Sequence, residues 1–494
     1  MAVKGSMKFK NRAQLITYPD SLGGNLAALQ DVLRRHFRGL FTGGIHILPP
    51  YPSSGDRGFA PLNYGKIDPR FGTWKDIRRI GEEYGVMLDV MVNHISRRSP
   101  QFQNFLAKGR KSPYADMFLT LEKIWPDGKP VQADIDIMFL RRPVPYSTFA
   151  IGDGTEEKVW TTFGKTDPSE QIDLDVNSPL TRQYFSAIFR HFKANHVRMV
   201  RLDAVGYVIK KPGTSCFFVE PDICGFLDWV AGQAEEHGMA LLPEVHAHYS
   251  IQYKLAERGF WIYDFILPFL VLETLVNRSS AMLRRYLNHR PSNQFTMLDC
   301  HDGIPVKPDL DGLVDTERAR RVVDLCLARG ANLSRVVSDK HKEPDGFDVH
   351  QIRCTYYDAL GRDDDAYLAA RAIQLFVPGI PQIYYVGLLA GENDPAAVTE
   401  RGDGREINRH NYSLEEIEQA VRQPVVQRLI NLIRFRNEHE AFQGSFQCLE
   451  TGDREIKLGW DNEGKSCLLH VDLDSFRSVV RYTDERGITR EWIV

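Results

Sequence analysis

The chain has 494 residues, and its 62 lysine and arginine residues against 65 aspartate and glutamate residues give a formal net charge of −3. Hydrophobic residues make up 43% and charged residues 26% of the sequence, which is ordinary globular usage and excludes disordered and collagen-like chains. The near-neutral charge balance gives no general reason to expect a nucleic acid or an anionic membrane as a partner.

Short apolar runs alternate with helix-like segments along the chain. After the first run, apolar side chains recur with a helical period over residues 25–37, and a second helix is predicted over residues 74–84. Continuous apolar strands between helices are typical of a parallel sheet buried on both faces, and eight of them predict a (β/α)₈ barrel. The eight predicted strands are residues 13–18, 43–48, 86–92, 197–202, 240–242, 260–265, 295–298 and 380–385.

The predicted strands are unevenly spaced. About a hundred residues separate the third strand from the fourth, and the Pro, Gly and charged residues early in this gap indicate an inserted subdomain. A second long polar gap follows the seventh strand, and short strand-like pieces after residue 438 predict a small β-domain. We therefore expect barrel segments at 1–92, 174–303 and 362–440, an inserted B domain at 93–173, a second insertion (B′) at 304–361 and a C-terminal β-domain at 441–494.

The cysteines and the apolar segments bear on the compartment of the protein. The seven cysteines are scattered, and no two have CxxC spacing, which argues against a disulfide scaffold or a cysteine zinc site and fits a reducing compartment. We expect no signal peptide, because the N-terminal residues lack an apolar region. The most apolar stretch, residues 260–276, is interrupted by Asp264, Pro268 and Glu273, so it predicts protein core rather than a membrane helix. A cytoplasmic protein is expected.

Three carboxylates follow predicted barrel strands: Asp203 after the fourth, Glu244 after the fifth and Asp302 after the seventh. Functional residues of such barrels lie at the C-terminal ends of the strands, so we expect these side chains to meet at one mouth. A single carboxylate there is more often structural, whereas three, with arginine and histidine among them, indicate catalysis. Glycosyl transfer with retention needs such a set, since one carboxylate attacks the anomeric carbon and another, about 5 Å away, protonates the leaving oxygen.

The motifs around these carboxylates resemble those of a known family. Residues 89–94 (DVMVNH), residues 201–203 (RLD), Glu244 and residues 301–302 (HD) are similar to the four recurring motifs of the α-amylase family of glycoside hydrolases. The resemblance covers nearly the whole chain and narrows to the sucrose phosphorylase branch. The features that narrow it are residues 14–18 (QLITY), 201–207 (RLDAVGY), 213–216 (GTSC), 244–246 (EVH), 301–304 (HDGI), 355–357 (TYY), 384–387 (YYVG) and 407–410 (INRH).

The resemblance implies a role for each motif residue. Asp203 is implied as the nucleophile that forms a β-glucosyl ester, with Arg201 beside it keeping it ionised. Glu244 is implied as the general acid and then base, its pKa held above that of Asp203 by burial, and Asp302 as the group that stabilises the oxocarbenium-like transition state. The positions implied to bind the glucosyl group are Asp56, Phe59, His94, Arg201, Tyr207, His246, His301 and Arg405. From the residues alone, His94 could instead be a core histidine, and Phe59 could simply pack a loop.

Phosphorolysis requires phosphate rather than water to attack the ester, and arginine binds phosphate through its fork of N–H donors. The positions implied at the phosphate or acceptor side are Arg141, Arg142, Asp348, His350 and Gln351. The usual sucrose phosphorylase pattern has proline where Arg141 stands and tyrosine where His350 stands. With an arginine and a protonatable histidine there, the sequence resembles the variant branch that acts on sucrose 6′-phosphate and releases fructose 6-phosphate.

No metal or other cofactor is expected. Many relatives bind calcium near Asn93, but no evident ring of acidic ligands is found there in this sequence, and no Gly-rich motif implies a nicotinamide or ATP site. The expected partners are small molecules, an α-glucoside and inorganic phosphate, with no nucleic acid and no membrane. The sequence does not determine the oligomeric state, and it leaves a homodimer open.

Four other functions remain open from the sequence alone. The enzyme could phosphorolyse unphosphorylated sucrose, or another glucoside such as glucosylglycerate or glucosylglycerol, with the same glucosyl site. A transglucosidase or hydrolase of the same family would also keep all three carboxylates, and it would not require phosphate to form its product. A non-catalytic barrel protein is disfavoured, because such proteins typically lose a carboxylate or gain a membrane anchor.

Overall fold

Strands and helices alternate along most of the chain in the computed structural model, which describes residues 9–342 and 346–494. The strands are β1 (Gln14–Thr17), β2 (Gly44–Ile47), β3 (Val86–Met91), β4 (His94–Ser96), β5 (Tyr146–Ala150), β6 (Glu156–Trp160), β7 (Gln171–Asp173), β8 (Val197–Asp203), β9 (Ala240–Pro243), β10 (Ile262–Asp264), β11 (Gln294–Thr296), β12 (Ile304–Pro305), β13 (Asn332–Arg335), β14 (Val349–Arg353), β15 (Ile380–Tyr384), β16 (Ser445–Leu449), β17 (Glu455–Asn462), β18 (Lys465–Asp472), β19 (Ser478–Thr483) and β20 (Thr489–Ile493).

The α-helices range from single turns to four turns. They are α1 (Leu26–His36), α2 (Trp74–Glu83), α3 (Pro100–Lys108), α4 (Leu121–Ile124), α5 (Gln132–Ile137), α6 (Pro179–Ala194), α7 (Asp222–Glu236), α8 (Tyr249–Glu257), α9 (Leu267–Asn277), α10 (Ala281–Leu287), α11 (Thr316–Ala328), α12 (Tyr356–Ala359), α13 (Asp364–Phe376), α14 (Tyr385–Leu388), α15 (Pro395–Arg401), α16 (Leu414–Ala420) and α17 (Pro424–Glu438). Short 3₁₀ segments include Asp56–Gly58, Val205–Tyr207 and Gly404–Asn408.

Eight strands belong to one sheet, and each lies in one of the eight segments predicted from the sequence or overlaps it. They are β1, β2, β3, β8, β9, β10, β11 and β15. Apart from Arg198 every residue in them is buried, which explains why they read as continuous apolar runs rather than as alternating ones. One run of neighbours is β10-β11-β15-β1-β2 and the other is β3-β8-β9.

The described chain divides into two compact units. The first comprises Ile47–Val245 and Val336–Asp348, and the second comprises the described residues up to His46 together with His246–Arg335 and Val349–Val494. The division cuts across the six segments predicted from the sequence, whose boundaries stay predictions.

In the first unit, the register of the parallel strands decides which side chains become neighbours. β3 and β8 pair so that Asp89 lies opposite Arg201 and Met91 opposite Asp203. The amide of Glu244, the residue after β9, donates a hydrogen bond to the carbonyl of Leu202 at 3.0 Å. The long connection between β3 and β8 contains two small antiparallel pairs, β4 with β7 and β5 with β6.

In the second unit, the apolar stretch around α9 is core, as predicted: nine of its residues, Leu267 to Leu275, are buried. Among the described residues, no helix is long and apolar enough to cross a membrane. β12, β14 and β13 form a three-stranded antiparallel sheet between β11 and α12.

The C-terminal β-domain predicted from the sequence is confirmed as the five-stranded antiparallel sheet β16-β17-β18-β19-β20. Alternate residues of β17 are buried, among them Ile456, Leu458 and Trp460, which is the period-2 pattern of a sheet with one packed face. The Trp460 indole donates a hydrogen bond to the carbonyl of Phe376 in α13 at 2.6 Å, so this sheet is tied to a helix of its own unit.

Candidate active site

One guanidinium binds three buried carboxylates, which lie within β3, at the end of β8 and directly after β9. Nη1 of Arg201 donates to Oδ1 of Asp89 at 2.5 Å and to Oδ1 of Asp203 at 2.9 Å. Its Nη2 lies 2.9 Å from Oε1 of Glu244, whose other oxygen accepts a hydrogen bond from the amide of Ala204 at 2.9 Å. Asp203 and Glu244, which were predicted from the sequence to act together, are therefore held by the same side chain.

This cluster carries more negative than positive charge when every carboxyl is ionised. Burial raises the pKa of Asp203 well above its ordinary value; Arg201 opposes the shift, and the carboxylates of Glu244 and Asp89 add to it. Arg201 lies beside Asp203 and opposes the rise of its pKa, but this one guanidinium is shared among three carboxylates, so the expectation that it keeps Asp203 ionised stays a prediction. The pair of Asp203 and Glu244 is thus poised to hold a proton. The expected difference in pKa between Glu244 and Asp203 stays a prediction.

Phe59 lies beside Arg201, and His94 is hydrogen-bonded to the backbone of Phe59. The Phe59 ring has the Arg201 guanidinium 5.6 Å from its centroid, in cation–π contact. The carbonyl of Phe59 accepts hydrogen bonds from Nε2 of His94 and from Nε2 of Gln171, both at 2.9 Å. Burial lowers the pKa of His94, which favours the neutral ring. Because the carbonyl of Phe59 can only accept a hydrogen bond, the proton of that neutral ring is on Nε2.

A buried ammonium connects three segments near this ring. Nζ of Lys210 donates to Oδ1 of Asn93 at 2.8 Å, pairs with Oδ2 of Asp173 at 2.8 Å and binds the carbonyl of Tyr207. The side chains of Lys210 and Asp173 are 2% and 0% exposed. The oxygens near Asn93 thus already have a cation among them, which supports the expectation that no essential metal binds in this region; that expectation stays a prediction.

The other predicted glucosyl-site residues of this unit lie on 3₁₀ turns. Tyr207 ends the segment Val205–Tyr207 and packs among the rings of Phe139, Phe163 and Phe217, with centroids 4.7–6.4 Å away. Asp56 begins the segment Asp56–Gly58 with a positive φ of 47°. That backbone conformation is uncommon for a residue other than glycine and is often found at functional sites.

Arg141 and Arg142, predicted at the phosphate side, lie in the insertion before β5. Arg142 is buried, and its Nη1 donates to Oγ of Ser147 at 3.0 Å and to Oγ1 of Thr161 at 2.7 Å. Arg141 is half-buried, and both arginines line one small cavity together with Tyr207. Asp348 is half-buried before β14, and its carbonyl accepts a hydrogen bond from the Val336 amide.

In the second unit, Asp302 lies among cationic groups. Its Oδ1 is 3.5 Å from Nη1 of Arg405 and 3.8 Å from Nη2 of Arg409, and its Oδ2 is 3.8 Å from Nε2 of His301. Burial alone would raise the pKa of Asp302, but these neighbours and His246 hold it well below its ordinary value. These neighbours therefore favour the ionised form of Asp302.

His246 and His350 lie close together in this unit. The His246 ring stacks on Phe265 with centroids 3.9 Å apart, and its Nδ1 is 3.7 Å from Oδ1 of Asp309. The His350 ring lies 6.3 Å from that of His246 and donates from Nδ1 to the carbonyl of Lys307 at 2.6 Å. Gln351 is buried on β14, next to His350 in the chain.

Asp89, Asn408 and Arg409, which had no role assigned from the sequence, have structural roles in the fold. Asp89 binds Arg201, and the segment Gly404–Asn408 with Arg409 supports the loop of Asp302. Nδ2 of Asn408 donates to the carbonyl of Asp302 at 3.0 Å, and Nε of Arg409 donates to the carbonyl of His301 at 2.7 Å. All three residues lie inside motifs that were recognised in the sequence, but their partners are more than 100 residues away.

Comparison with known proteins gives strong matches over the whole chain. A family model described as the α-amylase catalytic domain matches residues 11–244. A protein named sucrose 6(F)-phosphate phosphorylase from Thermoanaerobacterium thermosaccharolyticum is 64% identical over 489 residues, which cover 99% of this chain and 100% of that protein. A sucrose phosphorylase from Streptococcus mutans is 44% identical, with 97% of this chain and 98% of that protein covered.

A solved structure is equally similar. The crystal structure of sucrose 6F-phosphate phosphorylase from Thermoanaerobacter thermosaccharolyticum superposes with a TM-score of 0.98 at 64% identity, covering 99% of this chain and 100% of that one. The predicted fold class, a (β/α)₈ barrel followed by a small antiparallel β-domain, is thereby confirmed.

Proposed function

Because the chain belongs to the α-amylase family of glycoside hydrolases, we propose that it is a retaining phosphorylase of the sucrose phosphorylase branch. Its reaction converts sucrose 6′-phosphate and inorganic phosphate into α-D-glucose 1-phosphate and fructose 6-phosphate. The 64% identity over 99% of the chain to a sucrose 6(F)-phosphate phosphorylase favours this substrate over plain sucrose, for which the relative from Streptococcus mutans is 44% identical.

The observation that carries the chemistry is the shared guanidinium of Arg201. Because it binds Asp203 through Nη1 and Glu244 through Nη2, both at 2.9 Å, the two carboxyl groups are close enough to flank one glycosidic bond. A pair of carboxyl groups with one proton between them supplies both an acid and a nucleophile.

In the first step Asp203 attacks the anomeric carbon of the glucosyl group. The bond from that carbon to the fructosyl oxygen breaks as Glu244 gives its proton to the leaving oxygen, so fructose 6-phosphate departs. The product on the protein is a β-glucosyl ester of Asp203. Asp302, ionised among its cationic neighbours, stabilises the positive charge that develops on the sugar ring.

In the second step phosphate replaces water as the acceptor. A phosphate oxygen attacks the anomeric carbon from the face that the leaving group vacated, Glu244 takes its proton, and the ester bond to Asp203 breaks. Two inversions give net retention, so the product is the α-anomer of glucose 1-phosphate.

The remaining predicted residues receive binding roles. We propose that the glucosyl group is bound by Asp56, Phe59, His94, Arg201, Tyr207, His246, His301 and Arg405, and the phosphate or fructosyl side by Arg141, Arg142, Asp348, His350 and Gln351. The hydrogen bonds of Arg142 inside its insertion support a role in shaping that side. We propose a cytoplasmic location, and a homodimer stays an open option for the oligomeric state.

Product analysis with a panel of glucosides tests the proposed function. Sucrose 6′-phosphate, sucrose, glucosylglycerol and glucosylglycerate are each incubated with and without inorganic phosphate, and glucose 1-phosphate is quantified. We expect glucose 1-phosphate only when phosphate is present, with the highest kcat/KM for sucrose 6′-phosphate. Glucose release that does not depend on phosphate would show a hydrolase instead.

The acceptor preference is tested by the double variant Arg141→Ala with His350→Tyr. Removing an arginine and a protonatable histidine takes charge-assisted hydrogen bonds from the 6′-phosphate, each worth on the order of tenfold or more in affinity. The ratio of kcat/KM for sucrose 6′-phosphate to that for sucrose should therefore fall by about 10- to 100-fold. A control carries the same kinds of change away from the site, Arg190→Ala on α6 with His237→Tyr after α7, and should keep the original ratio.

A further inference from the structure

Arg353 is the last residue of β14 and lies on the same face of that strand as Gln351, because side chains two apart in a strand point the same way. This face lies against the segment that follows Asp302. A β-carbon on Gly303 would lie 3.0 Å from Cβ of Gln351 and 2.6 Å from the carbonyl oxygen of Ile352. Only a glycine at 303 allows β14 to approach this closely.

The guanidinium of Arg353 extends to the segment Gly404–Asn408. A β-carbon on Gly404 would lie 2.8 Å from Nη1 of Arg353 and 2.5 Å from Oδ1 of Asn332, whose Nδ2 donates to the carbonyl of Gly404 at 2.9 Å. Arg353 thus reaches the backbone beside Arg405, one of the two arginines paired with Asp302.

In the part of the chain that the structure describes, the Arg353 guanidinium has no hydrogen-bond or ion-pair partner, and its Nε is buried. Two fully buried arginines of the same unit show the contrast, because their guanidinium groups have several partners. Arg371 pairs with Asp299 at 2.7 Å and also bonds Tyr367 and Gln374, and the guanidinium of Arg436 donates four hydrogen bonds to backbone and side-chain oxygens. A half-buried arginine without such partners is costly unless a ligand supplies them.

Arg353 lies near two other arginines and two aspartates. Burial lowers the pKa of Arg353, and Arg405 and Arg409 lower it further, while Asp403 and Asp302 offset this only in part. An arginine remains protonated even so. An anion with several acceptor oxygens would relieve the repulsion among the three guanidinium groups and satisfy the donors of Arg353.

We propose that Arg353 binds a phosphate dianion beside Asp302, either the inorganic phosphate that attacks the glucosyl ester or the 6-phosphate of the fructosyl group. The planar fork of the guanidinium matches two phosphate oxygens, which a lysine could not reproduce. This inference rests on the proposed phosphorylase function and adds to it a phosphate contact outside the residues predicted from the sequence.

The test compares Arg353→Ala and Arg353→Lys with the wild type in three assays. Phosphorolysis of sucrose 6′-phosphate measures KM for inorganic phosphate. Synthesis from α-D-glucosyl fluoride measures KM for fructose 6-phosphate and for fructose as acceptors, without any other phosphate present. Hydrolysis of the same fluoride in water alone measures the glucosyl chemistry. Arg335→Ala, an exposed arginine on the neighbouring strand β13, is the matched control.

We expect Arg353→Ala to raise one phosphate KM by about tenfold or more, as for the loss of a charge-assisted hydrogen bond, with fluoride hydrolysis unchanged. Arg353→Lys should recover part of the loss. A rise in KM for inorganic phosphate alone identifies the attacking phosphate as the ligand, and a rise for fructose 6-phosphate but not fructose identifies the 6-phosphate.

Two results would overturn the inference. One is a KM for both phosphates within twofold of the wild type, and the other is an equal loss in all three assays, which would show that Arg353 serves only the fold. Failure of the proposed function is distinguishable, because the wild type itself would then form no glucose 1-phosphate from any glucoside.

Discussion

Asp203→Asn removes one of the three carboxylates that share Arg201. Oδ1 of Asp203 and Oε1 of Glu244 each lie 2.9 Å from a terminal nitrogen of that guanidinium. The two oxygens are therefore at most about 8 Å apart, so two negative charges on them repel by at least about 2 kcal/mol at an effective dielectric constant of about 20. The Asp203 side chain is only 12% exposed, so water screens little of this repulsion.

Burial and this repulsion raise the pKa of Asp203 in the folded protein despite Arg201. At pH values between the pKa of Asp203 in the unfolded chain and its pKa in the folded protein, the folded protein binds more protons than the unfolded chain. The wild type therefore loses stability as the pH rises through this range. Asparagine does not titrate. We therefore expect the variant to be more stable than the wild type at neutral pH, by on the order of 1–2 kcal/mol, with the difference vanishing near about pH 4.

The assay is the thermal unfolding midpoint of both proteins at steps between about pH 4 and pH 8, together with glucose 1-phosphate formation. Activity should be lost, because an amide cannot serve as the nucleophile. Asp461→Asn, at an exposed position on β17, is the control and should leave the midpoint unchanged. A variant less stable than the wild type at neutral pH, or a gain that does not depend on pH, would refute the reasoning about the shared guanidinium.

Two further predictions concern buried and bridging charges. Lys210→Met leaves the carboxylate of Asp173 buried without its 2.8 Å partner, which should lower the free energy of unfolding by about 3–5 kcal/mol. Urea unfolding measures this loss, and the double variant with Asp173→Asn should recover part of the lost stability. An unchanged urea midpoint in Lys210→Met would contradict the prediction. His410 lies 2.8 Å from Asp394 and 3.1 Å from Glu416; burial alone would lower its pKa, but these carboxylates raise it. The stabilisation from the protonated ring is complete below about pH 6.5 and is lost as the pH rises through the pKa of His410 in the folded protein. His410→Gln should therefore lower the thermal unfolding midpoint near about pH 6 but not near about pH 9. An equal effect at both pH values would show that the charge of His410 is not the cause.

Much of the fold was predictable because a strand that is buried on both faces consists mostly of apolar residues. The eight strands of the large sheet are buried along nearly their whole length, so each appears as an apolar run, and the run at 86–92 differs from β3 by one residue. The boundaries were less certain where the strand is short: residues 260–265 contain only the three residues of β10.

The proposed catalytic carboxylates could be predicted from the sequence, but their electrostatic environment could not. Asp203, Glu244 and Asp302 were identified from motifs near strand ends: Asp203 ends β8, Glu244 follows β9 directly, and Asp302 lies in the loop after β11. The raised pKa of Asp203 could not be predicted from the sequence, because it depends on Asp89 and Glu244 binding the same arginine as Asp203. Asp89 lies next to that arginine only through the register of β3 against β8. Arg353 was missed because nothing in its local sequence distinguishes it from an arginine in solvent.

The sequence alone determined the kind of protein: the order of strands and helices, the family motifs and the residue types required for glycosyl transfer. Those properties are local, because hydrophobic periodicity and short motifs are written in neighbouring residues. The tertiary structure decided which charges share a partner and which lack one, as with Arg201 among three carboxylates and Arg353 beside Gly404. Electrostatic energies depend on distance and burial, and folding sets both by joining segments far apart in the chain.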